Sequence, residues 1–214
     1  RLYFASEFVQ GGDGVGLLKS FSPGGVPPEI AVKVILDLLA GLAYCHEEMV
    51  FHRDIKTANI LLRKNLEKAT FQAKITDFGL VKCVIDEGSQ LTRPGDVAGS
   101  YAYMAPEQLR NFLQPGPSAD VYSAGVCLYE LLTGRLPFLF PGDSEFKKSK
   151  SAVARPLNTV RIILEEPPIP ILERNSRIPE KLALVVDKSI RKPKGERFAK
   201  AQDFINELKA AFPR

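Results

Sequence analysis

Five side chains of the eight-residue run HRDIKTAN are charged, titratable or amide groups, which can bind or move charge. They are His52, Arg53, Asp54, Lys56 and Asn59. Moving a phosphoryl group requires neutralised phosphate charge, a metal held by hard oxygen ligands, and a group that orients the attacking hydroxyl. Asp54 and Lys56 lie two positions apart, so in an extended loop they face the same side. The run therefore predicts a phosphoryl-transfer loop.

A second acidic motif follows at a distance that a hairpin would close. The run TDFG places Asp77 eighteen residues after Asn59. Residues 60–62 and 73–76 are short apolar runs, which predict two strands of a small hairpin. Taken alone, Asp-Phe-Gly is most often a turn, and His-Arg-Asp is usually a solvated charge cluster. Five specified positions in eight residues arise by chance with odds on the order of one in 10⁴, however, so the pattern indicates a catalytic site.

The elements that must position these motifs are mostly helical. Residues 26–48 contain two prolines near their start, which suit the first turn of a helix, and carry apolar residues at helical spacing. Residues 118–134 are almost wholly apolar after the aspartate, which predicts a helix buried on most sides and ended by Gly134. Two amphipathic helices are predicted over residues 178–190 and 199–212.

The remaining segments predict less regular structure. Residues 2–9 are aromatic and β-prone, which favours a strand that ends at the run QGGDGVG. Residues 80–100 lack periodicity and contain several glycines and a proline, which predicts a long loop.

Composition excludes several classes of protein. The chain has 214 residues and a net charge of +4, which is too mild to indicate a nucleic-acid partner. Cys45, Cys83 and Cys127 are far apart and odd in number, which argues against a disulfide framework or a zinc site. No apolar run is long enough to span a bilayer, and no signal peptide is visible. We expect a cytoplasmic location, with membrane tethering through regions outside this chain left open.

The order of the motifs resembles the signature of eukaryotic-type (Hanks-type) serine/threonine protein kinases. HRD is followed by DFG and then by APE within YMAPEQL. The resemblance covers nearly the whole chain and implies a mainly α fold, the kinase C-terminal lobe with a short β-hairpin at the catalytic loop. Residues 1–12 would be the end of the fifth strand and the hinge, and residues 13–214 would be the large lobe, with the activation segment at 77–107.

The resemblance implies a role for each polar residue of the two motifs. Asp54 would be the catalytic base, and Lys56 would contact the transferring phosphate. Asn59 and Asp77 would hold the Mg²⁺ ions, or Mn²⁺, that bridge the phosphates of ATP. A lysine two positions after the aspartate is typical of the serine/threonine branch. The implied partner is therefore a protein substrate with a serine or threonine acceptor.

The run SEFVQGGD resembles the kinase hinge. The backbone of Glu7 and Val9 would bond the adenine edge, Asp13 would lie near the ribose, and Leu61 would form the floor of the adenine site. Taken alone, this stretch is an ordinary Gly-Gly turn, and the kinase interpretation depends on its register with Asp54.

The resemblance also implies control by phosphorylation. Because Arg53 precedes the catalytic aspartate, a phosphate in the activation segment could order that segment against it. Thr92 is the first candidate for the modified residue and Ser89 the second. Ser100 stands where the family usually has threonine.

The resemblance also implies residues that hold the catalytic motifs in place. Glu107 would pair with Arg197 of KGERF, the alternative being two unpaired surface charges. Asp120 would cap the buried helix and bond the backbone of the catalytic loop. His52 and Phe78 would stack in the apolar spine behind the site, so the histidine would pack and would not transfer protons.

Several kinase features are missing from the sequence. GGDGVG follows the hinge and lacks a strand–turn–strand setting, so we reject it as the phosphate loop, and no Val-Ala-Ile-Lys lysine is found. The N-terminal β lobe is therefore expected to be absent from this chain, and the isolated chain is expected to be inactive. Two other functions stay open: a catalytically dead kinase-like scaffold, and a small-molecule phosphotransferase. The intact Asp54, Lys56, Asn59 and Asp77 argue against the first, and YMAPEQL favours a protein substrate over the second.

Overall fold

The computed structural model describes five stretches of the chain, which are residues 6–65, 70–78, 101–110, 116–141 and 159–213. The predicted loop over residues 80–100 lies outside these stretches. So do the three hydroxyl residues predicted in the activation segment, which are Ser89, Thr92 and Ser100.

The described residues are mainly helical and include one small sheet. In chain order the helices are α1 (Gly14–Ser20), α2 (Pro28–Glu47), α3 (Pro106–Arg110), α4 (Pro117–Thr133), α5 (Thr159–Glu165), α6 (Ile171–Arg174), α7 (Glu180–Ser189) and α8 (Ala201–Ala211). The strands β1 (Ile60–Asn65) and β2 (Thr70–Ile75) pair antiparallel. Short 3₁₀ turns cover Thr57–Asn59 and Lys194–Glu196. The predicted fold class is confirmed, and the small β lobe is not among the described residues.

Helices α2 and α4 form the centre of the core, as their patterns predict. The apolar stripe of α2, which includes Leu38 and Leu42, is buried where this helix packs against α4 and α8. Nearly every residue of α4 is buried, because helices or loops cover it on all sides. The helix ends at Gly134, whose φ of 70° lies in the left-handed region and whose N–H donates to the carbonyl of Glu130 at 2.7 Å. The predicted glycine stop is confirmed.

The hairpin joins the two predicted motifs. Its register pairs Ile60 with Ile75, and one step further the N–H of Thr76 donates to the carbonyl of Asn59 at 3.1 Å. The end of HRDIKTAN and the start of TDFG therefore lie side by side. Both strands are longer than predicted, because exposed polar residues such as Lys64 extend the pairing without an apolar signal.

The segment before α1 lies against the outer edge of β1. The N–H of Leu62 donates to the carbonyl of Gly12 at 2.8 Å, and that of Lys64 donates to the carbonyl of Gln10 at 3.2 Å. Asp13 forms an antiparallel bridge to Leu61. The predicted strand over residues 2–9 is wrong for its described part, because residues 6–9 are in no strand and the pairing with β1 starts at Gln10.

Gly11 allows this close approach, and we expect Gly11→Ala to separate the segment from β1. A Cβ at Gly11 would lie 1.6 Å from the carbonyl oxygen of Leu62, so the backbone would have to move. Loss of the two backbone hydrogen bonds corresponds to about 1–3 kcal/mol of unfolding free energy, measurable by urea denaturation. Gly12→Ala is the matched control, since a Cβ there has no neighbour within 4 Å. Equal stability of the two variants would contradict the prediction.

Candidate active site

Asp120 holds the HRDIKTAN loop (residues 52–59) from beneath. Its carboxylate is 1% exposed. Oδ2 accepts the N–H of His52 at 2.9 Å, and Oδ1 accepts the N–H of Arg53 at 2.8 Å. Nε2 of His46, near the end of α2, lies 2.9 Å from Oδ2. One buried carboxylate therefore ties the loop to the two central helices.

The predicted contact of Asp120 with the loop backbone is present, but its predicted capping of the helix is wrong. The N-cap of α4 is Gly116, and Asp120 lies one turn inside the helix. The reason is geometric, since the carboxylate is directed to the loop and both of its oxygens accept from donors outside α4.

Two residues of the site have a left-handed backbone that non-glycine residues seldom adopt. The φ angle is 66° at Arg53 and 57° at Asp77. At Arg53 the conformation is held from both sides, because its N–H donates to Asp120 and its carbonyl accepts from Nε2 of Gln108 at 3.4 Å. Each such residue costs on the order of 1–3 kcal/mol, and such residues cluster at active sites.

The side chains of HRDIKTAN converge on Asp54. Nζ of Lys56 lies 3.0 Å from Oδ2 of Asp54, as expected for residues on the same side of an extended loop. Nδ2 of Asn59 donates to the carbonyl of Asp54 at 2.8 Å and is 3.3 Å from its Oδ2. The amide of Asn59 is thus oriented with Oδ1 as the atom able to ligate a cation.

Asn59 and Asp77 fit the metal site that the sequence predicts. The Asp77 side chain is exposed, and the hairpin brings residue 76 into hydrogen-bond contact with Asn59. An amide oxygen and a carboxylate are hard ligands of the kind that Mg²⁺ accepts in small number, with water and phosphate completing its shell. Within the described stretches, no group of three or more His, Cys, Asp or Glu residues could hold a metal alone.

His52 packs behind the site, as predicted. It is fully buried, and its ring centroid lies 4.7 Å from that of Phe78. Nε2 donates to the carbonyl of Thr76 at 2.9 Å, and Nδ1 accepts the N–H of Asp54 at 3.3 Å. Burial lowers the pKa of His52, opposed by the bond to Thr76 and by the charge of Asp120. The imidazole is therefore neutral and structural.

This histidine makes stability depend on pH. Because the pKa of His52 is lower in the folded state than in the unfolded chain, its contribution is complete above about pH 6.5 and is lost as the pH falls below it. We expect the free energy of unfolding to fall more steeply between pH 7.5 and 5.5 in the wild type than in His52→Gln. Urea denaturation at several pH values measures both slopes, and identical slopes would contradict the prediction.

The predicted hinge residues are brought together only in part. Asp13 and Leu61 bridge each other, and Leu61 lies on the face of β1 opposite the buried Ile60. Oδ1 of Asp13 accepts the N–H of Gly16 at 2.7 Å, so this carboxylate also caps α1. Gly14 of the run GGDGVG is helical, consistent with our rejection of that run as a phosphate loop.

The side chain of Glu7 forms ion pairs with both strands of the hairpin. Its carboxylate is exposed and pairs with Nζ of Lys74 on β2 and with Nη1 of Arg63 on β1, the latter at 3.4 Å. The hydrogen bond from Lys74 lowers the pKa of Glu7. The predicted role of Glu7 and Val9 concerns their backbone, and it stays a prediction.

The predicted pair of Glu107 and Arg197 is present. Nη2 of Arg197 donates to Oε1 of Glu107, and the arginine side chain is fully buried. Nη1 also donates to the carbonyl of Arg191 at 3.2 Å, and the guanidinium lies 5.0 Å from the centre of the Tyr122 ring. The pair joins α3 to the chain just before α8.

A partly buried hydrogen-bond network beside the loop was not predicted. The hydroxyl of Tyr103 donates to Oε2 of Glu130 at 2.7 Å and lies 3.1 Å from Oγ1 of Thr57. Burial raises the pKa values of Glu130 and Tyr103. The three residues are far apart in sequence and belong to no spacing pattern, so the sequence alone carried no signal for their contact.

Taken together, a helical body built on α2 and α4, a polar loop anchored to α4, and a hairpin that joins the loop to TDFG define the large lobe of a protein kinase. A family model described as "Protein kinase domain" matches residues 1–208. The chain therefore belongs to the protein kinase domain family, and the resemblance stated from the motifs is confirmed.

Individual relatives agree with this family. The chain is 32% identical over 207 residues to serine/threonine-protein kinase PknB of Mycolicibacterium smegmatis, covering 96% of this chain and 30% of that protein. It is 34% identical to serine/threonine-protein kinase pkn3 of Myxococcus xanthus, with 98% and 36% covered. The chain thus spans about a third of the length of these relatives.

Solved structures show the same fold. The kinase domain of Mycobacterium tuberculosis PknI superposes with a TM-score of 0.65 at 18% identity, over 96% of this chain and 64% of that one. Rad53 1–466 in complex with AMP-PNP has a TM-score of 0.65 at 26% identity, over 94% and 44%. No helix among the described residues is both long and apolar enough to cross a bilayer.

Proposed function

We propose that this chain is the C-terminal lobe of a serine/threonine protein kinase, which transfers the γ-phosphate of ATP to serine or threonine hydroxyls of proteins. The observation that carries the proposal is the convergence of Lys56 and Asn59 on Asp54, within 3.0 Å and 2.8 Å respectively. The names of the relatives support the serine/threonine class.

Each residue of the site has a proposed task. Asp54 accepts or orients the proton of the substrate hydroxyl, and Lys56 places a positive charge at the transferring phosphate. Asn59 and Asp77 would hold Mg²⁺, or Mn²⁺, which neutralises phosphate charge when bound. Their chemistry fits, because two hard oxygen ligands lie at the junction of the loop and the hairpin.

The nucleotide would lie against the segment before α1. We propose residues 1–12 as the end of the fifth strand and the hinge, with backbone contacts from Glu7 and Val9 to the adenine. Asp13 and Leu61, which bridge each other, would contact the ribose and the adenine face. Residues 13–214 would form the large lobe.

Regulation would act through Arg53. The loop holds its backbone in a left-handed conformation, and a phosphate on Thr92 or Ser89 would offer it a partner of opposite charge. Ser100 would support the catalytic aspartate. The last residue of segment 77–107 is Glu107, and its pair with Arg197 would fix that end of the segment.

The test is phosphate transfer from radiolabelled ATP to a protein substrate, with the modified residue identified afterwards. A protein that contains this chain and an N-terminal lobe is expected to label serine or threonine in the presence of Mg²⁺. Residues 1–214 alone are expected to be inactive, because they supply one side of the nucleotide site. Tyrosine labelling, labelling of an aminoglycoside in preference to a peptide, or no labelling by the larger protein would contradict the proposal. We expect this kinase to act in the cytoplasm, with any membrane tether outside residues 1–214.

A further inference from the structure

Thr57 occupies a junction between the residues that the proposed function uses. It lies between Lys56 and Asn59 in the HRDIKTAN loop and is 1% exposed. The N–H of Asn59 donates to the carbonyl of Lys56 at 2.9 Å, so the three residues form one tight turn. A displacement of Thr57 therefore moves its two neighbours as well.

The hydroxyl of Thr57 contacts Tyr103, which belongs to the segment YMAPEQL. Tyr103 donates its only hydroxyl proton to Glu130, so its oxygen can accept from Oγ1 of Thr57 at 3.1 Å. The loop is thus connected to α4 through side chains, in addition to its backbone bonds with Asp120.

The partner of this hydroxyl is itself fixed. The carbonyl of Tyr103 accepts from Oγ of Ser123 at 2.8 Å, and Ser123 lies on α4, in the second turn of this buried helix. Tyr103 is therefore held at its backbone and at its hydroxyl by the same helix. Because Tyr103 is held at both ends, it can hold the Thr57 hydroxyl in a defined place.

The backbone of Thr57 lies close to a second element, α1. A Cβ at Gly14, the first residue of α1, would lie only 2.5 Å from the carbonyl oxygen of Thr57. Thr57 therefore contacts α1 through its backbone and Tyr103 through its side chain. Helix α1 directly follows the proposed ribose contact Asp13. A side-chain contact and a backbone contact with two separate elements leave the turn little freedom to shift.

We infer that Thr57 is a positioning residue, whose hydroxyl sets the placement of Lys56 and Asn59 through Tyr103 and Glu130. The inference rests on the proposed function, since it assigns these neighbours to the phosphate and the metal. Because a misplacement of about 1 Å can cost on the order of 10²-fold in rate, loss of one tethering hydroxyl is sufficient to be measured.

The experiment uses an active protein that contains this chain and compares Thr57→Val with Thr57→Ser. We expect Thr57→Val to lower kcat about tenfold or more with little change in the KM of the protein substrate, and Thr57→Ser to restore kcat. Thr133→Val is the matched control, because Thr133 is also buried and bonds carbonyl groups of Tyr129 and Arg135 far from the loop. It should lower the melting temperature and leave kcat unchanged.

A second measurement does not depend on turnover. Calorimetric titration measures the affinity for AMP-PNP with and without Mg²⁺. The ratio of the two affinities gives the metal-dependent part, which is the factor by which the metal strengthens binding. Thr57→Val should reduce that metal-dependent part about tenfold and leave the affinity without Mg²⁺ unchanged. Thr133→Val should leave both unchanged.

The outcomes separate this inference from the proposed function. A wild-type protein without transfer, or Asp54→Asn with wild-type activity, would refute the proposed function. If the wild type and Asp54→Asn behave as expected, the inference on Thr57 is overturned by either of two results. These are a Thr57→Val variant with wild-type kcat, and one with a wild-type metal-dependent affinity for AMP-PNP.

Discussion

Asp54→Asn is expected to lower kcat by about 10²–10⁴-fold in a protein that contains this chain and transfers phosphate. An amide cannot accept the proton of the substrate hydroxyl. The substitution also removes the charge that lies 3.0 Å from Nζ of Lys56, so the cation proposed for the phosphate loses this contact. Steady-state kinetics with saturating ATP and protein substrate measure the effect.

The control for Asp54→Asn is the same substitution at an exposed position. Asp203 lies on the surface of α8, and Asp203→Asn should leave kcat within about twofold, because surface changes seldom exceed ±0.5 kcal/mol. The melting temperature of Asp54→Asn should stay close to that of the wild type, which would show that the lobe is folded. Retention of near-normal kcat by Asp54→Asn would remove Asp54 from its proposed task.

Asp120→Asn is expected to lower the free energy of unfolding by about 3 kcal/mol or more. The carboxylate accepts two backbone N–H groups and contacts His46, whereas an amide offers one oxygen and places an NH₂ group against a donor. Breaking a buried charged contact typically costs about 3–5 kcal/mol. Urea denaturation of the chain measures the loss.

In this variant kcat should also fall, even at temperatures at which the protein is fully folded. The backbone of His52 and Arg53 would lose its fixed position, and Asp54 follows directly in the loop. The measurement is kcat at a temperature well below the unfolding midpoint of Asp120→Asn, again with Asp203→Asn as control. A change in stability under about 0.5 kcal/mol would contradict the role of Asp120 as an anchor.

Most of the fold could be predicted because its main helices carry their signal locally. The apolar spacing of α2 and α8, the almost continuous apolar run of α4 and the glycine after it are readable without a structure. The sequence did not predict four short helices, since each is seven residues or shorter and depends on contacts with the rest of the lobe; they are α1, α3, α5 and α6.

The site could be predicted where a motif places its residues close together in sequence. Asp54, Lys56 and Asn59 stand on one short loop, so their convergence follows from spacing. The contact of Thr57 with Tyr103 spans 46 residues, and that of Tyr103 with Glu130 spans 27. Such contacts depend on how α4 passes beneath the loop, which no local pattern specifies.

The anchoring of the loop on Asp120 has a consequence for the exchange of backbone protons with solvent. His52 and Arg53 lie outside regular secondary structure, where amide protons usually exchange within minutes or less. Their N–H groups, however, donate to a buried carboxylate of α4 that also contacts His46 of α2, and we expect them to exchange only when this anchor opens. In deuterated water these two loop amides should therefore exchange as slowly as the amides in the middle of α4.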